Sequence, residues 1–338
     1  MKTIHDFPRV NLGIWPTPLH KLENLSRRYG KNLYVKRDDM TGVGLGGNKV
    51  RKLEFLLADA KAKGADVVFT TGGAQSNHAM LTAACCNKLG MKAVLLLKQR
   101  GVTERKGNLL LDHLLGCDAQ FLDTDSYDDI YAEMRRQGAE LEKQGHVPYY
   151  IPVGGSTALG ALGYVAGMEE AYGQAKAMGI HFDHAVCVCG SGGTTAGVAL
   201  GTKLYSPGTK ALGIAVDDDP FQEIVPRLMR EALALLESDL PVEEGDVTIQ
   251  FHVGKGYGIA GPEDTEAVKL VAQSEGIFFD PVYTGKAFCH FLHLLEEGYF
   301  DGEENILFLH SGGAGGLFAV GLPGEAKKGR PIWDGLFS

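Results

Sequence analysis

"HAVCVCGSGGTTAGVALG", residues 184–201, decides the fold. Residues 185–189 are apolar without alternation, Gly190, Gly192 and Gly193 crowd the turn that follows, and the remainder reads as a helix. A strand apolar on both faces belongs in a parallel sheet that is covered on both sides. The same order recurs on either side of it. "ADVVFTTGG" (65–73) reads as a strand entering a glycine turn, "HAMLTAACCNKLG" (78–90) as a helix with a glycine stop, and "MKAVLLL" (91–97) as the next strand. "KALGIAV" (210–216) and "NILFLHSGG" (305–313) are further buried strands. Strands joined by helical crossovers place the chain in the α/β class.

The bounds set by composition agree with a globular enzyme. With 338 residues the chain is long enough for two domains or one large α/β unit, and 44% apolar and 22% charged residues are ordinary for a globular protein. A net charge of −9, with no basic cluster beyond runs such as Lys327-Lys328, offers no face for nucleic acid. "MKTIHDFPRV" has no apolar signal core, and no apolar run approaches the ~18 residues of a membrane span. A cytoplasmic enzyme acting on a small molecule is the expectation. The six cysteines (85, 86, 117, 187, 189 and 289) lack C-x-x-C spacing and read as reduced core thiols, so no metal is expected.

In open parallel sheets, ligands bind beyond the carboxyl ends of the strands. Four glycine-rich turns sit there. "CGSGGTTAG" (189–197) can turn consecutive amides of Gly190, Ser191, Gly192 and Gly193 inward at a helix N-terminus, with Thr194 adding a hydroxyl, which suits a phosphate. It is neither a dinucleotide fingerprint nor a P-loop, since Thr195 breaks the first and no Gly-Lys-Ser/Thr closes the second. "TTGGAQSNHA" (70–79) offers Gln75, Ser76, Asn77 and His78 as a carboxylate cradle, although Ser and Asn also serve as plain helix caps. "PVGGSTALGALG" (152–163), with Gly155, and "HSGGAGG" (310–316), with Ser311, are the third and fourth turns. Tyr257 and Tyr283 each lie in a short loop among glycine, proline or threonine residues.

One lysine stands out against this background. "GLGGNKVRKLEF" (44–55) leads through three glycines into Lys49, and then into a helix whose Leu53, Leu56, Leu57 and Ala60 form one apolar stripe. Arg51, Lys52, Glu54 and Asp59 fall largely off that stripe. A lysine in the first turn opposes the helix dipole. If partly buried there, it acquires a depressed pKa and becomes a nucleophilic amine. One amine, one phosphate nest, one carboxylate cradle and two loop tyrosines together suit pyridoxal 5′-phosphate (PLP). The readings from other classes are a nucleotide-binding α/β module and a PLP-binding protein without catalysis.

"KRDDMTGVGLGGNKVRKLEFLLADA", "GGAQSNH", "IPVGGSTALGALGY", "GSGGTTAG" and "FDPVYTGKA", in this order, resemble the D-cysteine desulfhydrase and 1-aminocyclopropane-1-carboxylate (ACC) deaminase family of PLP enzymes. The resemblance runs from "FPRVNLGIWPTPLH" to "FLHSGGAGGLFA". It implies two open, mainly parallel twisted sheets flanked by helices, the tryptophan-synthase-β fold type. Residues 1–49 and 159–338 would form a large cofactor-binding domain and 50–158 a small substrate-closing one, in a homodimer. It further implies that Lys49 is the Schiff-base lysine and that Asn77 meets the cofactor's 3-hydroxyl. Lys52 and Gly190 to Thr194 would hold its phosphate. Ser76 would contact the substrate carboxylate, with Gln75, Asn77, His78, Gly155 and Thr284 around it. Tyr257 and Tyr283 would be the active-site tyrosine pair, and Lys49 or Tyr283 the base for the Cα proton. ACC deaminases carry Glu after the second tyrosine and Leu in the last glycine loop, whereas this chain has Thr284 and Ser311. Both hydroxyls resemble the D-cysteine desulfhydrase branch, which implies β-elimination; L-cysteate sulfo-lyases share much of the pattern. Ser311 would sit beside the pyridine nitrogen, where a neutral hydroxyl leaves that nitrogen largely unprotonated and favours loss of a β-leaving group. Met80 and Leu81, the loop "GGAGGLFA" and the tail from Gly321 depart from the family pattern.

Overall fold

The computed structural model describes residues 2–256 and 258–320. Along the chain, β1 (Leu19–Lys21), α1 (Glu23–Tyr29) and β2 (Asn32–Arg37) lead to α2 (Lys49–Ala62). Next come β3 (Val67–Gly73), α3 (Asn77–Leu89), β4 (Lys92–Lys98), α4 (Gly107–Leu114), β5 (Gln120–Leu122), α5 (Tyr127–Glu142) and β6 (Pro148–Tyr150). The long α6 (Ala158–Ala177) precedes β7 (His184–Cys189), α7 (Gly193–Tyr205), β8 (Lys210–Ala215), α8 (Phe221–Leu235) and β9 (Thr248–Phe251). Finally, α9 (Pro262–Glu275), α10 (Thr284–Glu296), β10 (Asn305–His310) and α11 (Ala314–Val320) complete the described chain.

Two sheets result. One has the order β1-β2-β10-β7-β8-β9 and the other β5-β4-β3-β6. Every neighbouring pair is parallel except β1 with β2, so the sheets are mainly parallel, as expected. Strand period sets the packing. In the larger sheet Val186, Val188, Ile306 and Phe308 face α9 and α10. Their neighbours Ala185, Cys187, Leu307 and Leu309 face Tyr164 and Met168 of α6. Both faces are therefore dry, which accounts for the unbroken apolar run. The six cysteines are buried free thiols. Among the described residues no helix is long and apolar enough to cross a membrane.

The structure departs from the amphipathic reading of α2. Arg51 (1% exposed), Lys52 (0%) and Glu54 (0%) are as buried as the leucines. The helix runs between the two layers, so it has no water-facing side over its first two turns. Its polar residues are instead paired across those layers. The Arg51 guanidinium reaches both Asp38 oxygens at 2.7 and 2.9 Å and Glu170 Oε1 at 2.8 Å. Glu54 accepts from the backbone N–H groups of Leu12 (2.8 Å) and Gly13 (3.0 Å), from Trp15 Nε1 (2.8 Å), and from Arg9. A buried charge persists only when paired in this way. The pairing fixes the axis of α2, and with it the position of Lys49.

Candidate active site

The carboxyl ends of both sheets point at one cavity of about 320 Å³, lined by residues that follow β3, β4, β6, β7, β8 and β10. Lys49, Ser76, Asn77, His78, Gly190, Ser191, Gly192, Thr194, Tyr283 and Ser311 all line it. The chain thus brings together, from five separate loops, most of the residues singled out in the sequence.

Lys49 is the first residue of α2. Its loop is zipped to two of the other turns. Asn48 donates from its backbone N to Ser311 O (3.0 Å) and from Nδ2 to Thr194 Oγ1 (3.0 Å), and Gly47 pairs with Gly312 in a β-bridge. Gly46 is obligatory: φ is +76°, and a Cβ there would lie 1.7 Å from Asp39 O. Burial pulls the Lys49 ammonium down from 10.5 to about 8. Met80 and Leu81 pack beneath this loop, against Gly44 and Gly47, rather than into the cavity.

The second turn is a phosphate-sized cup. Gly192 has φ +82° and caps α7, whose first N–H groups have no partner within the helix. Ser156 Oγ donates to Ser191 Oγ (2.9 Å) and accepts from Gly193 N (3.2 Å). Lys52 lies behind the cup; its Nζ donates to Gly154 O (2.7 Å) and Ser156 Oγ (3.3 Å). Burial, and then the neighbouring Lys49 charge, hold its ammonium well below the usual lysine range. A Cβ on Gly193 would come within 2.6 Å of Lys52 Nζ and 2.8 Å of Ser156 Cα, so only glycine lets Lys52 and Ser156 close against the cup.

Ser76 caps α3 by accepting from Ala79 N (3.2 Å), the ordinary capping role, while still lining the cavity. Asn77 Oδ1 accepts from Asn108 Nδ2 (2.6 Å), which fixes its amide. His78 carries a sharper message. Thr70 Oγ1 donates to Ile151 O (3.0 Å), so it must accept from His78 Nε2 (2.9 Å). That assigns the proton to Nε2 and leaves Nδ1 as a bare acceptor, buried and without a partner among the described residues. Burial, then the Lys49 and Lys52 charges, push the imidazole well below its usual range, which keeps it neutral.

Tyr283 enters the cavity from a turn built on Asp280, a residue passed over in the sequence. The buried Asp280 carboxylate accepts from the backbone N of Val282 (2.9 Å), Tyr283 (2.8 Å) and Thr284 (2.9 Å), and from Thr284 Oγ1 (2.5 Å). Burial nonetheless leaves its pKa above the ordinary value. Thr284 thus spends its hydroxyl on Asp280 and does not line the cavity. Gln75 is likewise turned away, donating to Val102 O (2.9 Å) and Lys106 O (3.2 Å) and accepting from Asn108 N (2.9 Å). Gly155 packs under His78 and Leu56. Tyr257 lies outside the described residues.

A charged rim was also missed. Lys98, Arg100, Asp125 and Tyr127 face Asp217, Asp218 and Asp219 across the cavity, and Arg100 approaches Asp217 at 3.5 Å. Lys98 Nζ sits 3.5 Å from the Tyr127 ring centroid. The signal was present: "VDDDP" (216–220) directly follows β8, and "KQR" (98–100) ends β4.

These residues fit PLP on their own geometry. One cavity is lined by a low-pKa amine, by a glycine-built cup at a helix N-terminus and by an imidazole with a bare buried nitrogen. Comparison with known proteins points the same way. Residues 10–312 match the family model described as "Pyridoxal-phosphate dependent enzyme". A Pyrococcus abyssi protein named "Putative 1-aminocyclopropane-1-carboxylate deaminase" is 42% identical over 318 residues, covering 93% of this chain and 94% of its own. The D-cysteine desulfhydrase of Salmonella choleraesuis is 40% identical over 320 residues, covering 93% and 96%. The crystal structure of an ACC deaminase homologue superposes with a TM-score of 0.87 at 40% identity, covering 93% of this chain and 94% of its own.

Proposed function

The chain belongs to the pyridoxal-phosphate dependent enzyme family, among the lyases related to ACC deaminase and D-cysteine desulfhydrase, and we propose that its own reaction is β-elimination from D-cysteine. The products are pyruvate, hydrogen sulfide and ammonia. The bound cofactor supplies the electron sink for the pair left when Cα loses its proton. The chain supplies the rest. Lys49 is the attachment amine, and with its pKa near 8 it also takes the Cα proton. Ser76, Asn77 and the α3 N-terminus orient the substrate carboxylate, while neutral His78, its Nε2–H given to Thr70, has no proton to offer it. Asn77 would also meet the cofactor's 3-hydroxyl. The cup of Gly190 to Thr194, backed by Lys52, would hold the phosphate, and Ser311 would offer the ring nitrogen a neutral hydroxyl. Tyr283, paired in sequence with Tyr257, delivers a proton to the departing sulfur. The enamine left after sulfur departs then hydrolyses to pyruvate.

One observation carries the choice of substrate. Opening a cyclopropane needs an additional acid/base group near the ring carbons, and residue 284 is a threonine whose hydroxyl is already donated to Asp280. Thiol loss from Cβ needs no such group. L-cysteate is the second reading, favoured by Lys98 and Arg100 at the rim. Against it, Arg100 faces Asp217, and Asp218, Asp219 and Asp125 share that rim, a poor field for a second negative charge. We also take residues 50–158, which carry β3 to β6, as the body that closes over substrate while 1–49 and 159–338 hold the cofactor.

The test is 2-oxo-acid release from D-cysteine, L-cysteine, L-cysteate, D-serine and ACC with one enzyme preparation. D-cysteine should exceed ACC in kcat/KM by at least ~10²-fold, the usual worth of one placed acid/base. Comparable turnover of ACC and D-cysteine would refute the assignment.

A further inference from the structure

Away from the cavity, the side chains of α9, α10 and the segment after β9 gather an unusual set of ligand atoms. His252 Nε2 lies 2.9 Å from Asp264 Oδ1, and both lie within 4.8 Å of Cys289 Sγ. Cys289 shares a second cluster with His293 and Glu263, its sulfur 4.0 Å from His293 Nε2. Cys289 and His293 are one helical turn apart on α10, an i, i+4 pair that presents both side chains on one face. Cys289 belongs to the apolar core with Ala267, Leu270 and Leu292, yet its sulfur also lies among imidazole and carboxylate atoms.

We propose that His252, Asp264 and Cys289, completed by His293, form a site for one zinc-class divalent cation. Tetrahedral zinc with its usual bond lengths requires N···S edges of about 3.6 Å and N···O edges of about 3.4 Å. The S···N edge of 4.0 Å and the N···O edge of 2.9 Å each differ from these values by about half an ångström. The other edges within each cluster lie within 4.8 Å, and His293 has to rotate toward His252 to join the two clusters. Charge balances: thiolate and carboxylate neutralise the dication, both imidazoles remain neutral, and the thiol proton leaves to solvent on binding. A second layer orients the ligands. Gly261 N donates to Asp264 Oδ2 (2.6 Å), which leaves Oδ1 for the metal, and the His252 ring stacks on His290 at 5.4 Å. A groove lined by Pro262, Glu263, Leu270, Leu292 and His293 reaches Cys289 and gives the ion an entry path.

The consequence is mechanical. Residues 252–261 connect β9 to α9 and include Tyr257 in sequence. On one side Lys286 Nζ already holds this segment through Val253 O and Gly256 O, both at 2.8 Å. The metal would fasten its first residue to two helices on the other side.

The test uses PLP-loaded protein stripped with a chelator and titrated with Zn²⁺ against a chromophoric competitor, then with Co²⁺. We expect one ion per chain and a cobalt spectrum with a thiolate charge-transfer band. Cys289→Ser and His252→Asn should each weaken binding by at least ~100-fold, while Cys117→Ser leaves it unchanged. Should Cys289→Ser fail to fold, the cobalt band of the unaltered protein decides. Absence of stoichiometric binding, a cobalt spectrum without the thiolate band, or full affinity in folded Cys289→Ser protein would overturn the proposal.

Discussion

Asp280→Ala and Asp280→Asn probe the turn that aims Tyr283. The carboxylate accepts three backbone N–H groups and one hydroxyl, and the side chain is fully buried. Alanine strands the N–H groups of Val282, Tyr283 and Thr284. Each buried orphan costs about 1–3 kcal/mol, so the variant should lose at least ~3 kcal/mol. Asparagine loses less. Its NH₂ can replace Oδ1, where Thr284 Oγ1 rotates to accept and only Thr284 N is orphaned, so a loss of about 1–3 kcal/mol follows. The burial that raises the Asp280 pKa trims both figures, because the native carboxylate itself carries a desolvation cost. Urea unfolding of the PLP-loaded protein measures the stability change, and 2-oxo-acid release measures kcat. Displacing Tyr283 from the sulfur should lower kcat by ~10²-fold or more, even in folded Asp280→Asn. An alanine variant within about 0.5 kcal/mol of the parent, with kcat unchanged, would refute the claim that this carboxylate positions the tyrosine.

Two further outcomes follow from buried charge. In cofactor-free protein, Lys49→Met should be more stable than the parent at pH 7 by up to roughly 3 kcal/mol, the fall from 10.5 to about 8 converted to energy. Between pH 8 and 10.5 the unfolded chain binds more protons than the folded one, so parent stability rises and the gap should close, as urea midpoints at pH 7 and 10 would register. A constant gap would contradict it. Arg51→Met removes the cation bound to the buried Asp38, leaving it only the Thr17 and Tyr164 hydroxyls while Glu170 keeps Lys36, and should cost about 3–5 kcal/mol at neutral pH. Burial pushes the Asp38 carboxyl up, but Arg51 overrides it and holds the pKa at about 2, so in the parent this stabilisation is present above 3.8 and lost as pH falls through 2. In the variant Asp38 protonates at higher pH, and the deficit in urea midpoint should therefore be smaller at pH 3 than at pH 7.

Strands and glycine turns were legible in the sequence because both depend on local rules. Unbroken apolar runs such as 185–189 can lie only in a two-sided sheet, and the turns at 190–193 and 72–73 mark strand ends. Lys49 was legible for a similar reason, since a cation opening a helix is locally wrong. What escaped depends on distant partners. Arg51, Lys52 and Glu54 look like a solvated face until Asp38, Glu170, Gly154 and the 9–15 segment arrive to pair with them. Gln75 belongs by sequence to the substrate cradle, yet the loop at 102–108 draws it away. Thr284, singled out by the resemblance, donates its hydroxyl to Asp280 rather than facing the cavity.

The most direct test of the central claim is borohydride reduction of the PLP-loaded enzyme followed by peptide mapping. The account predicts one fixed phosphopyridoxyl group, carried by Lys49 on the peptide spanning residues 38–51, and loss of the yellow colour. A label on Lys52, Lys98 or Lys286 instead, or no fixed label at all, would contradict it.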